Sequence, residues 1–275
     1  MMKKLNILHK QLVLALIFGT LMGLTACGGG GGGGDDDAPP TPPTPPTDAK
    51  VEGAYEGSTY EGGRVPSASA EEHRTIVLDD NQVYTLYGNS VGNIFYVDGF
   101  LHGYGNMSGN TFTSSVRDYF LTGEVFSGSL SATFVPGVSL NGSVIYDDGA
   151  PMVSFTTRVM PTYYDYNVAA KLSDITGAWS LTRLQDDDPI TMNIASTGAF
   201  TATSLGCAMN GNILPRASGK NVFNVSMNFG PLPCRLPGQS VSGIAVIHRA
   251  DGTPELLIAV TNTSRTEGTV MFGTR

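Results

Sequence analysis

The stretch Asn221-Val222-Phe223-Asn224-Val225-Ser226-Met227-Asn228-Phe229 decides the fold class. Phe223, Val225, Met227 and Phe229 alternate with Val222, Asn224, Ser226 and Asn228. Successive residues of an extended chain point to opposite faces, so this pattern makes a strand with one apolar face. Ser129-Leu130-Ser131-Ala132-Thr133-Phe134 repeats it. From Val51 onward no window of helical length keeps a 3.6-residue apolar period. The alternating runs are separated by the turn pairs Asp80-Asn81, Gly109-Asn110, Asn141-Gly142, Asp148-Gly149 and Asp251-Gly252. Short strands at regular spacing with such turns predict antiparallel barrels or sandwiches.

The pattern occurs twice. Val51-Glu52-Gly53-Ala54-Tyr55 matches Ile175-Thr176-Gly177-Ala178-Trp179, and each is preceded by an Ala-Lys pair. Ser139-Leu140-Asn141-Gly142-Ser143-Val144-Ile145 matches Ser240-Val241-Ser242-Gly243-Ile244-Ala245-Val246. Two tandem all-β domains follow, at 51–160 and 175–275, each of a size able to bury its own core. The connector at 161–174 is expected to hold one helical turn near Asp165 to Ala170. Candidate strands begin near Val51, Thr75, Gln82, Asn93, Thr111, Glu124, Val138 and Met152. In the second copy they begin near Ile175, Ile190, Ala199, Cys207, Val222, Val241, Glu255 and Thr269. Eight consecutive strands with short connections predict an antiparallel meander that closes into an eight-stranded barrel and so removes its edges. Open sheets or sandwiches are the alternative.

The first fifty residues read differently. Residues 1–26 carry Lys3, Lys4 and Lys10, then an apolar run from Leu12, and end at Leu24-Thr25-Ala26-Cys27. Basic, apolar and small-residue regions in that order make a secretory signal peptide, too short in its apolar part to span a bilayer. Leu24-Thr25-Ala26-Cys27 resembles the lipobox of bacterial lipoproteins, which implies cleavage before Cys27, acylation of Cys27 and anchorage in the lipid bilayer. Two or more acyl chains hold a protein stably where one does so only reversibly. Gly28 after the cysteine resembles the outer-membrane address. The linker at 27–50 runs from seven glycines through three aspartates to Ala38-Pro39-Pro40-Thr41 and further Pro-Pro-Thr repeats. It reads as a flexible hinge followed by a stiffer polyproline spacer, with a proline-recognition ligand as the alternative.

The chain has 275 residues, 16 Lys+Arg and 24 Asp+Glu, for a formal net charge of −8. Residues 1–26 hold three lysines and no acid, so their removal takes the charge to −11. That balance argues against a nucleic-acid partner and against electrostatic adhesion to anionic lipid. Charged residues make up 15% of the chain, against about 25% in ordinary soluble domains. The remaining surface is Ser, Thr, Asn and Gly, as expected of an exported protein.

Few residues suggest chemistry. Cys207 and Cys234 lie in the exported part and are expected to form a disulfide. Gly88-Asn89-Ser90-Val91-Gly92 fits the esterase elbow pattern, but strand-like sequence rather than a helix follows it, which predicts a hairpin turn. His73, His102 and His248 show no metal-ligand spacing, and His102 is expected to be a half-buried strand residue. Asp147-Asp148-Gly149 and Asp186-Asp187-Asp188 lack the alternating oxygens of a calcium loop. No metal, cofactor or catalytic group is expected. Tyr84, Tyr87, Phe95, Tyr96, Phe100 and Tyr104 make the first domain the more aromatic, and are candidate ligand-facing residues; the alternative is that they fill the barrel.

Gly53-Ala54-Tyr55-Glu56-Gly57, Val77-Leu78-Asp79-Asp80, Tyr84-Thr85-Leu86-Tyr87-Gly88, Gly206-Cys207-Ala208-Met209-Asn210-Gly211 and Phe272-Gly273-Thr274-Arg275 together resemble a group of uncharacterised proteobacterial lipoproteins. The resemblance spans the mature chain; it implies tandem β domains and carries no activity. Gly177-Ala178-Trp179 is similar to the first strand of avidin-like and lipocalin-like barrels. A single Trp argues against biotin-type binding. The expectation is an outer-membrane lipoprotein with a non-catalytic binding or structural role toward an envelope or surface partner. The alternative is a carrier of a small apolar ligand in a lipocalin-like cavity. Hydrolysis would require Ser90 to meet a histidine and an acid in space.

Overall fold

The computed structural model describes residues 50–62, 70–92, 94–161, 163–185, 187–250 and 252–275. Its first eight strands are β1 (Gly53–Glu61), β2 (Glu72–Val77), β3 (Gln82–Val91), β4 (Ile94–Ser108), β5 (Thr111–Phe120), β6 (Val125–Val135), β7 (Ser139–Tyr146) and β8 (Val153–Val159). Each pairs antiparallel with the next, and β8 pairs with β1 to close a barrel. A one-turn helix, α1 (Leu172–Ile175), leads to β9 (Gly177–Arg183), β10 (Pro189–Ile194), β11 (Ala199–Ser204) and β12 (Cys207–Pro215). β13 (Phe223–Phe229), β14 (Ser240–Ala250), β15 (Thr253–Asn262) and β16 (Gly268–Thr274) complete a second closed antiparallel barrel, β16 pairing with β9. The architecture is therefore the closed meander, in tandem, rather than the open sheet or sandwich. The strand starts lie close to the expected ones, the largest difference being β2, which begins at Glu72 rather than Thr75.

The helical turn lies at Leu172–Ile175 and not at 165–170. The backbone of 165–170 is committed elsewhere. Asn221 donates its backbone N–H to the Tyr166 carbonyl at 3.0 Å, and Ala170 donates to the Lys220 carbonyl at 3.2 Å. Asp165 Oδ1 accepts from its own chain at Asn167, at 2.9 Å. Groups tied to the β12–β13 loop cannot close a helical ladder.

Each barrel has an apolar core of alternate residues. In the first, Tyr55, Val77, Val83, Leu101, Val116, Leu130, Phe134, Leu140 and Phe155 pack together. In the second, Trp179 packs with Met192, Phe200, Met209, Val225, Ile258 and Met271, and its Nε1 donates to the Ile175 carbonyl at 2.7 Å. The opposite phase of the free walls is polar, as with Thr201, Thr203, Asn210, Asn224, Ser226 and Asn228. Apolar inside and polar outside is the reverse of a membrane-spanning barrel. The Cys207–Cys234 disulfide is present, across 27 residues, and ties β12 to the β13–β14 loop.

A third apolar cluster joins the barrels. Ile76, Tyr84, Leu86, Phe95, Val97, Phe100 and Tyr119, on the outer wall of β2 to β5, pack against Leu184, Val222, Ile244, Val246, Leu257, Ala259, Val270 and Phe272. The two domains thus share a core as well as owning one each. Polar bonds border it. Arg216 reaches Asp79 at 2.6 Å and Asp80 at 2.8 Å, and the Tyr119 hydroxyl donates to the Arg265 carbonyl at 3.1 Å. Gly268 lies against the stacked Phe100 and Tyr119 rings, where a Cβ would stand 2.7 Å from Tyr119 and 2.9 Å from Phe100.

Candidate functional site

The inward phase of β5 runs Phe112, Ser114, Val116, Asp118, so the alternation that builds the core also carries a carboxylate into the barrel. Asp118 is 0% exposed. Tyr87 on β3 donates its hydroxyl to Oδ1 at 2.8 Å, and Tyr146 on β7 donates to Oδ2 at 2.6 Å. Tyr87 can take this position because Gly99 lies opposite it on β4, where a Cβ would stand 2.0 Å from the Tyr87 hydroxyl. Burial pushes the Asp118 carboxyl up to about 6, and the two tyrosine bonds oppose that rise. Burial and the neighbouring Asp118 push both tyrosines above their ordinary value.

Beyond Asp118 the barrel opens into a cup of about 570 Å³. Its walls are Thr59 from β1, Phe120, Phe126 and Tyr146 from β5 to β7, and Ala150, Pro151 and Val153 at the start of β8. Phe120 and Phe126 meet edge to face at 5.6 Å, and Phe120 is 37% exposed. Glu61, Glu71, Glu124 and Asp148 supply the charge, and no basic residue lines the cup among the described residues. Burial, followed by repulsion from Asp98, Asp118 and Glu61, raises the Glu71 carboxyl. Deeper in, the barrel is filled. His73 stacks on Phe155 at 5.0 Å, and Thr75 and Thr85 share a hydrogen bond of 2.8 Å. Burial holds His73 down to about 3, so it is a neutral core residue.

The six aromatic candidates divide three ways. Tyr84, Phe95 and Phe100 are buried between the barrels and face no ligand space. Tyr87 is inside the first barrel, beneath the cup. Tyr96 and Tyr104 stand on the outer surface, 47% and 56% exposed. Tyr84 and Tyr87 part by ordinary alternation on β3, while Phe95 comes to share a face with Phe100 because the pairing of β4 with β3 shifts between Tyr87 and Gly88. A bulge changes which residues share a face, so period-two counting across it misplaces the rings. The residues that do line the cup were missed because they lie at strand ends and turns. The one available signal was Asp118, a carboxylate at an inward-phase position.

Ser90 sits in the β3–β4 hairpin, as its sequence predicts, with Gly92 at φ +62. Its hydroxyl donates to Glu72 at 2.6 Å, and Arg74 approaches it at 3.5 Å. The other Arg74 terminal nitrogen donates to His248 Nδ1 at 3.0 Å. An acid therefore meets the serine, but an arginine stands where a triad needs the imidazole, and an acceptor role on Nδ1 facing a guanidinium is no general base toward Ser90. His102 is fully buried rather than half-buried, stacked on Tyr84 at 4.4 Å and held down to about 3, chiefly by burial. Asp188 pairs with Arg183 at 2.6 Å; Asp186 is outside the described residues. No group of three or more potential metal ligands occurs among the described residues. Cys27 and the linker before Lys50 lie outside the described residues.

Two further hollows occur. One, of about 470 Å³, crosses the outer wall at β2, β1 and β8, where Glu56, Arg158, Glu72 and Arg74 pair among themselves. The other, of about 620 Å³, lies where Lys50 enters β1, between the β6–β7 turn and the connector.

No family model and no curated protein matches the chain. Among solved structures, a candidate outer membrane protein from Bacteroides fragilis aligns at 10% identity over 82% of this chain and 98% of its own, with a TM-score of 0.28. The isotype 1 transferrin binding protein B from serogroup B Neisseria meningitidis aligns at 9% identity over 81% and 76%, with a TM-score of 0.28. A protein of unknown function from the DUF3598 family of Nostoc punctiforme aligns at 11% identity over 82% and 95%, with a TM-score of 0.25. Likeness at this level does not bear on family or function.

Proposed function

We propose that this is a non-catalytic binding protein, held at the outer membrane by acylated Cys27, whose first barrel takes a small ligand at its open end. The observation that carries the binding reading is the cup: a concave, aromatic-walled space in a barrel that is otherwise filled. A ligand there would sit in the mouth, since His73, Phe155 and the Thr75–Thr85 pair occupy the depth a lipocalin-like cavity would need. The anchor rests on Leu24-Thr25-Ala26-Cys27 and its place after the apolar run. Tethering raises the local concentration of a modest binder near membrane-associated partners.

Saturation-transfer NMR of soluble aryl fragments with the intact protein in micelles tests the cup. Transfer to the native chain is expected to be lost in Val153→Trp, whose indole projects from the β8 wall into the space. Equal transfer to both chains, after subtraction of a micelle control, rejects the site. For the anchor, radiolabelled palmitate is expected to enter the native chain and not Cys27→Ala, and an unlabelled native chain rejects it.

A further inference from the structure

We propose that the cup selects an organic cation, an ammonium or guanidinium group joined to an aromatic or apolar body. This inference rests on the cup being a binding site and adds the class of its ligand. The space is lined by two kinds of side chain. Phe120, Phe126 and Tyr146 present ring surface, which attracts an apolar body and, through the ring quadrupole, a positive charge.

The carboxylates come from separate segments: Glu61 at the end of β1, Glu71 before β2, Glu124 in the β5–β6 turn and Asp148 in the β7–β8 turn. They therefore converge on the mouth of the cup from several sides instead of forming a stripe along one strand. Charges of one sign at a low-dielectric cleft focus their field into it. Arg235 of the second barrel approaches the outer edge at Gly123 and is not among the lining residues.

This combination disfavours the other ligand classes. An anion would be repelled by every charged group of the lining among the described residues. A neutral body would leave the carboxylates unused. A bare metal ion needs several oxygens gathered on one point, and no cluster of three or more potential ligands occurs among the described residues.

Calorimetric titration of the intact protein in a non-ionic detergent tests the class with three near-isosteres: 2-phenylethylammonium, 2-phenylethanol and 3-phenylpropanoate. The ammonium is expected to bind about tenfold more tightly than the alcohol, the carboxylate to bind weakest, and the ammonium preference to shrink as salt rises. Glu71→Gln should reduce ammonium affinity several-fold and leave the alcohol unchanged, with Glu124→Gln at an exposed turn as a second variant should the first unfold. If ammonium and alcohol bind the native chain equally, and Val153→Trp abolishes both, the cup stands and the cation proposal falls. If none of the three binds the native chain better than Val153→Trp, the cup itself is rejected.

Discussion

Asp118 is the residue on which the first barrel is most finely balanced. Burial pushes its carboxyl up to about 6 from an ordinary 3.8, so the native state holds this proton more tightly than the unfolded chain does. Its contribution to stability is fully present below about 3.8 and is lost as pH rises from there through about 6. That displacement corresponds to about 3 kcal/mol. Asp118→Asn keeps the shape and removes the charge. Urea denaturation should show the variant more stable than the native chain by about 1–3 kcal/mol at pH 7.5, with the difference gone near pH 4. A variant equally destabilised at both values would mean that the hydrogen bonds from Tyr87 and Tyr146 outweigh the cost of the buried charge. The sequence shows this residue plainly, as an acid at an inward position of β5; it does not show which hydroxyls will reach it.

At the scale of the element, β4 explains most of what the sequence conceals. Its 15 residues include a register shift opposite Tyr87 and Gly88, and this leaves Phe95, Val97 and Phe100 all turned toward the second barrel. Ordinary alternation would have split them between two faces. The same strand supplies Gly99, whose missing side chain is the space that the Tyr87 hydroxyl occupies. Gly99→Ala is expected to displace Tyr87, break its bond to Asp118 and cost about 2–4 kcal/mol in chemical denaturation, through overpacking and a buried carboxylate left with only its Tyr146 bond. A neutral outcome would show that the ring can move without loss. Turn dipeptides and alternation located nearly every strand. Bulges leave no comparable mark, because one extra residue looks like any other.

Across the whole molecule the decisive feature is the apolar cluster between barrels. Outer-wall residues of β2 to β5 are buried against β14 to β16, so neither barrel can separate without exposing Tyr84, Phe95, Phe100, Ile244, Leu257 and Phe272. Burial on this scale couples the two folding units. The native chain is therefore expected to unfold in a single calorimetric transition. Gly268→Leu forces a side chain against Tyr119 and Phe100, and should split that transition in two while each barrel keeps its own core. Two transitions already present in the native protein would show that the interface contributes little.

The sequence by itself determined the all-β class, the tandem repeat, the strand starts and the Cys207–Cys234 pair, since backbone periodicity and turn chemistry are written residue by residue. Only the tertiary structure decided which face is inside in the strands that are apolar on both. Ile76-Val77-Leu78 and Leu256-Leu257-Ile258-Ala259-Val260 are apolar on both faces because one lines a barrel and the other meets its neighbour. A strand buried on both sides has no alternation from which to read direction. The cup follows from the same cause: its walls come from five strands and their turns, and those residues become neighbours only when the sheet closes.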